Sequence, residues 1–111
     1  MADFDVDAVL KSMAAAAAAV LKKQWPQVET FAKTEFEKIA QTVVSIGEGV
    51  AAKTITQDQA PILLDMQKNA SRAVLAAAEG MTLVAAEQAI NAAIGAVKTA
   101  INTFVGFPLV A

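Results

Sequence analysis

From Ala73 to Ala111 the chain carries only three ionisable side chains, Glu79, Glu87 and Lys98. The remainder is mostly Ala, Val, Ile, Leu and Phe. Within it, Leu83, Ile90, Ile94, Val97, Ile101 and Phe104 recur at helical spacing. The positions between them are largely alanine. A helix over about 83–103 is therefore apolar nearly all round, the pattern of a buried helix. Whatever this chain folds into must cover that helix. The segment 104–111 then follows with no charged side chain and a proline stop at Pro108.

The preceding residues read as three further helices. Asp5, or Asp3, is a good N-cap for the first, over about 5–23. Val6, Leu10, Met13, Ala17 and Val20 form its stripe, widened by Val9, Ala14 and Leu21. Lys22 and Lys23 suit its C-terminus, and Trp25-Pro26 breaks it, because proline drives the preceding residue out of the helical region. A second helix runs over about 26–53. Its stripe is Val28, Ala32, Phe36, Ile39, Val43, Ile46 and Val50, with Lys33, Thr34, Glu37, Lys38, Gln41 and Glu48 facing water. Thr56-x-x-Gln59 reads as a capping box for a third helix over about 58–79. Leu63, Met66, Ala70, Val74 and Ala77 form the apolar face expected of it. Gly80 suits the left-handed position after that helix, and Thr82 can cap the fourth.

These elements predict an all-α single domain over residues 1–111. If the chain folds back near residues 55–57, the weak points at Trp25-Pro26 and Gly80 fall at one level. Either both are bends, giving an antiparallel helical hairpin with arms on the order of 70 Å, or both are reversals, giving a compact four-helix bundle. The cap signals favour reversals. The scarcity of loop residues around Pro26 favours bends. The hydrophobic fraction of 56% exceeds what a small monomer's core needs, and it tips the expectation to an oligomerising hairpin.

Composition removes most chemistry. The chain has no Cys, His or Tyr, so thiol, soft-metal and His-activated chemistry are not expected. Asp3-x-Asp5-x-Asp7 opens like a calcium loop, but Ala8 and Ala14 stand where such a loop needs glycine and glutamate. Gly47-Glu48-Gly49 lacks the preceding strand and third glycine of a phosphate-binding turn. Asn69-Ala70-Ser71 matches a glycosylation sequon with no secretion signal before it. Glu87 is the one carboxylate placed for tuning by an apolar helix, and inter-helix pairing is the simpler reading. The serines lack an activating base. The expectation is a non-enzyme without cofactor or metal. With a net charge of −2 and scattered basic residues, no nucleic-acid partner is expected.

The acidic N-terminus is unlike a signal or transit peptide. Residues 88–111 come nearest to a membrane span, but Gln88, Asn91, Lys98, Asn102 and Pro108 interrupt them. The expected location is cytoplasmic or within a macromolecular assembly, with membrane association as a lesser alternative.

Three functional readings follow. The first is a structural or assembly protein, a homo-oligomer or a subunit of something as large as a virus particle. It would self-associate through Ile90, Ile94, Val97, Ile101 and Phe104, with Phe107 and Leu109 of the tail and Trp25 as anchors. The second is a membrane-active hairpin of the lysis or pore-forming type. The third is a helical module binding a small apolar ligand or a protein.

Overall fold

The computed structural model describes residues 4–78 and 80–110. Five α-helices follow one another: α1 (Val6–Leu21), α2 (Trp25–Ala51), α3 (Ala60–Ala76), α4 (Leu83–Ala96) and α5 (Lys98–Val105), with a single 3-10 turn at Lys22–Gln24. No strand occurs among the described residues. The fold is all-α, as the periodicity predicts.

Each boundary has a local cause. Asp5 caps α1, its Oδ1 accepting from the Ala8 N–H at 3.1 Å. Asp3, the other expected cap, lies outside the described residues. The chain leaves α1 through Lys22 at φ 53°, and α2 starts with proline in its first turn. The capping box before α3 forms as expected. The Gln59 N–H donates to Thr56 Oγ1 at 3.1 Å, and the Thr56 N–H donates to Gln59 Oε1 at 3.0 Å. Gly80 takes φ 76°, and Thr82 Oγ1 accepts from the Ala85 N–H at 3.0 Å to open α4.

Both weak points are reversals. α1 packs against α2 and α4, and α3 packs against the same two helices, so the chain runs up, down, up and down. The Gln24 side-chain amide donates to the Gly80 carbonyl, so the two turns meet at one end of the bundle. The molecule measures 42 × 23 × 20 Å. Arms of about 70 Å do not fit that length. Of the two expected architectures the compact four-helix bundle is the one formed.

Predicted and observed faces agree best on α2. Val28, Ala32, Phe36, Ile39, Val43 and Ile46 are fully buried, while Lys33, Thr34, Glu37, Lys38, Gln41 and Glu48 are exposed. On α1 the buried row is Val9, Met13, Ala17 and Leu21, and Val20 turns outward. The larger correction concerns α3. Its core row is Ala60, Leu64, Ser71 and Leu75. Met66, Ala70, Val74 and Ala77, expected inside, are exposed, and Leu63 is half-buried. Periodicity favours the more apolar of two rows on this helix. The fold instead buries the row containing Ser71, whose buried hydroxyl accepts from Gln67 Nε2 at 3.0 Å.

The fourth predicted helix is broken in two. Val97, at φ −114° and ψ 13°, separates α4 from α5. The bend lays α5 against α2. There Phe104 rests on Gly47, where a Cβ would overlap its ring. The Phe4 ring packs against Phe104, tilted by 36° with ring centroids 4.9 Å apart. Gly106 ends α5 at φ 87°. The tail then turns back. The Val110 N–H donates to Asn102 Oδ1, and Asn102 Nδ2 donates to the Val110 carbonyl, both at 2.9 Å. Leu109 is buried as a result.

Two glycines of the same residue type should respond oppositely to alanine. Gly47→Ala should lower the unfolding free energy by about 1–3 kcal/mol through overpacking, although alanine is the better helix former. Gly95→Ala, where an added Cβ meets nothing within 4 Å, should raise it by about 0.5–1 kcal/mol. Urea unfolding midpoints measure both, and a stabilising Gly47→Ala would contradict the Phe104 contact. Asn102→Ala should cost about 1–2 kcal/mol for two lost hydrogen bonds. It should also speed hydrogen exchange at the Val110 amide, which the clamp otherwise slows.

Candidate functional site

Six of the eight residues expected to form an interface lie in the chain's own core. Ile90, Ile94, Val97, Ile101, Phe104 and Leu109 are buried in one cluster with residues of α1, α2 and α3. Trp25 and Phe107 are half-buried and pack against that cluster. These side chains cover one another, so the apolar row from Ile90 to Leu109 is enclosed by the chain's own fold.

The exposed apolar surface is elsewhere. Along α3, Ile62 is 61% exposed, Met66 63% and Val74 42%, and Phe31 of α2 is 53% exposed. Ala70, Ala73 and Ala77 are exposed between and beyond them. The spacing of four from Ile62 to Met66 to Ala70 to Val74 makes one ridge along the helix. Phe31 stands beside the C-terminal end of that ridge. With Gln27, Ala77 and Ala78 it lines an open groove of about 460 Å³. Near the other end, Ile55, Leu63, Met66 and Ala70 face Gln41, Thr42, Ser45 and Ile46 of α2 across a groove of about 520 Å³. The outside of α3 thus carries an exposed apolar ridge beside the exposed Asp65 and Asn69.

A second, smaller apolar group lies at the end of the bundle where the turns meet. Val20 at the end of α1 is exposed, as are Leu83 and Val84 in the first turn of α4. Leu83 was expected in the core row, but α4 is covered only from Ala86 onward. Lys22 and Lys23 are exposed at the same end.

Charged groups are disposed for solubility and local pairing. Glu29 and Lys33 pair on the outside of α2 at 2.7 Å, the ion pair expected from their spacing. Glu87 is half-exposed and faces Arg72 of α3 at 4.0 Å, an inter-helix pair at the long end of contact. It lines a polar seam between α3 and α4 with Asp65, Lys68, Asn69 and Asn91. Glu79 and Ala111 lie outside the described residues. Asp3 does too, so the acidic start beyond Asp5 and Asp7 is not placed. Among the described residues no three His, Cys, Asp or Glu side chains come together as a metal site.

Sequence spacing shows only that Glu35 and Glu37, two apart on a helix, do not face each other. Glu35 is 2% exposed, the one buried charge among the described residues. Lys38 Nζ reaches its Oε2 at 3.0 Å from the half-exposed side. The signal was present: Glu35 is three residues after Ala32 and four before Ile39, at the edge of the buried stripe. Lys38 is half-exposed, so its ammonium meets the buried carboxylate while staying near water.

The seams of the bundle are open to solvent. The widest, about 650 Å³, separates α1 from α2 and is lined by Leu10, Ala14 and Phe36 together with Asp7, Lys11, Lys33 and Glu37. No helix of the described residues is long and apolar enough to cross a membrane. No family model matches the chain, and no curated protein or solved structure is similar to it.

Proposed function

We propose that this chain is a non-enzymatic structural protein that self-associates through an apolar helix face. The observation that carries the reading is the unpartnered outer row of α3, Ile62, Met66, Ala70 and Val74, continued by Phe31 of α2. The contrast with α2 supports it. The outer face of α2 carries Lys33, Glu37, Lys38 and Gln41, as a solvated surface does. α3 has its charges at Asp65, Lys68 and Arg72, turned towards α4. Its outermost row has none. Large apolar side chains held in water over several turns of helix gain most by meeting another apolar surface. The self-association expected of Ile90 to Leu109 is thereby transferred to α3, since those residues already pack within the chain.

A second reading, contact with a membrane surface, draws on Val20, Leu83 and Val84 together with Lys22 and Lys23 at the turn end. Apolar side chains beside basic ones are the composition of an interfacial contact. Binding of an apolar small molecule draws no support from the open, mixed seams between the helices.

Light scattering at micromolar concentration separates the readings. The expected result is a mass of two or more chains, unchanged by mild salt because the face is uncharged. Met66→Lys should weaken the association at least tenfold, or about 1.4 kcal/mol, while circular dichroism stays helical. A monomer in the unsubstituted protein would overturn the proposal. Flotation with anionic vesicles, abolished by Val84→Asp and not by Met66→Lys, would favour the membrane reading in its place.

A further inference from the structure

We propose that Met66 is a sulfoxidation site, at which peroxide turns the outer face of α3 from apolar to polar and switches its association off. The switch rests on the self-association reading and adds to it a means of control.

Sulfur is divided unevenly between core and surface. The chain has four methionines and no cysteine. Met13 is 1% exposed and Met81 8%, whereas Met66 is 63% exposed. Met1 lies outside the described residues. A thioether reacts with peroxide at the rate the oxidant reaches its sulfur, so among the described residues Met66 is the one open target. The two buried methionines are shielded by the packing that holds the bundle together. Oxidation at Met66 alone therefore leaves the fold intact.

Position makes the site consequential. Met66 is the most exposed large apolar side chain of α3 and stands mid-ridge, about one turn from Ile62 and from Ala70. In the reaction a sulfur lone pair attacks one peroxide oxygen, the O–O bond breaks, an S–O bond forms and water leaves. Sulfur loses two electrons and the peroxide gains them. The sulfoxide is a strong acceptor where the ridge had none. Gln41 and Ser45, both exposed, line the same groove as Met66 and can donate to the new oxygen. Open to its own chain and to water, the sulfoxide is satisfied. Covered by a second apolar surface it is not, and a buried unpaired acceptor opposes association.

The coupling also runs the other way. A chain whose ridge is covered hides its Met66 sulfur, so the free chain is the one that oxidises, and oxidation then keeps it free. Methionine sulfoxide reductase with a dithiol resets the face: the oxygen leaves as water and the dithiol becomes a disulfide.

Dilute hydrogen peroxide followed by peptide mass mapping tests the site, because each methionine falls in a different tryptic peptide. Met66 should oxidise several-fold faster than Met13 and Met81, and more slowly once the protein is concentrated enough to associate. By light scattering, the oxidised protein should associate roughly tenfold more weakly, with its helical circular dichroism unchanged. Methionine sulfoxide reductase with dithiothreitol should restore the original mass. Met66→Leu keeps the ridge apolar and should associate with or without peroxide. Oxidation of Met13 or Met81 as fast as Met66, an oxidised chain that keeps its full mass, or a Met66→Leu chain that peroxide still dissociates would overturn the switch and leave self-association standing. A monomeric unoxidised chain would overturn both.

Discussion

Alanine sets the spacing of this bundle, and the rest of the structure follows from how close the helices come. Ala17 of α1, Ala32 and Ala40 of α2, Ala60 of α3 and Ala86, Ala89 and Ala93 of α4 are all buried with at most 1% of their surface exposed. Side chains this small let backbones approach, and they cost no rotamer entropy on burial. The result is a cross-section of 23 × 20 Å, about two helix diameters each way. A core that narrow takes one row of larger side chains from each helix: Met13, Phe36, Ile39, Ile46, Leu75, Ile90 and Ile101 fill it. A helix with two apolar rows must leave one outside. α3 is that helix, so its outer face is a consequence of tight packing within.

The same narrowness explains how the apolar fourth segment is covered. A straight helix over 83–103 would continue in the direction of α4, which packs on α1 and α3. The bend at Val97 instead swings α5 onto α2, where the missing side chain of Gly47 makes room for Phe104. The tail returns under the Asn102 clamp and places Leu109 in the core. Phe4 closes over Phe104 from the N-terminal side. These contacts bring residues from both ends of the chain together beside α2.

Much of this was legible in the residues, and what was not has a physical reason. The stripe of α2, the capping box at Thr56 and Gln59, the turn at Gly80 and the cap at Thr82 are local features, and local chemistry announces them. The phase of α3 is a tertiary choice. Two apolar rows compete, and the one that is buried is the one that meets α2 and α4, a choice that no periodicity displays. The bend at Val97 carries no proline, and Gly95 two residues earlier was the only hint. The tail's apolar composition was plain, yet its destination rests on one asparagine side chain matched to a backbone eight residues away. The residues expected at an interface are for the most part buried within the chain, because apolar composition alone does not tell a core from a contact surface.

The excess of apolar residues that favours an extended hairpin on paper is therefore real, but its location differs. A hairpin would place it along the whole length of both arms. The bundle concentrates it in two separate groups, the outer row of α3 and the turn-end residues Val20, Leu83 and Val84. The place of each group follows from the packing beneath it. α3 presents a second apolar row because a narrow core takes only one, and the turn-end residues of α4 lie before its first buried layer, which begins at Ala86.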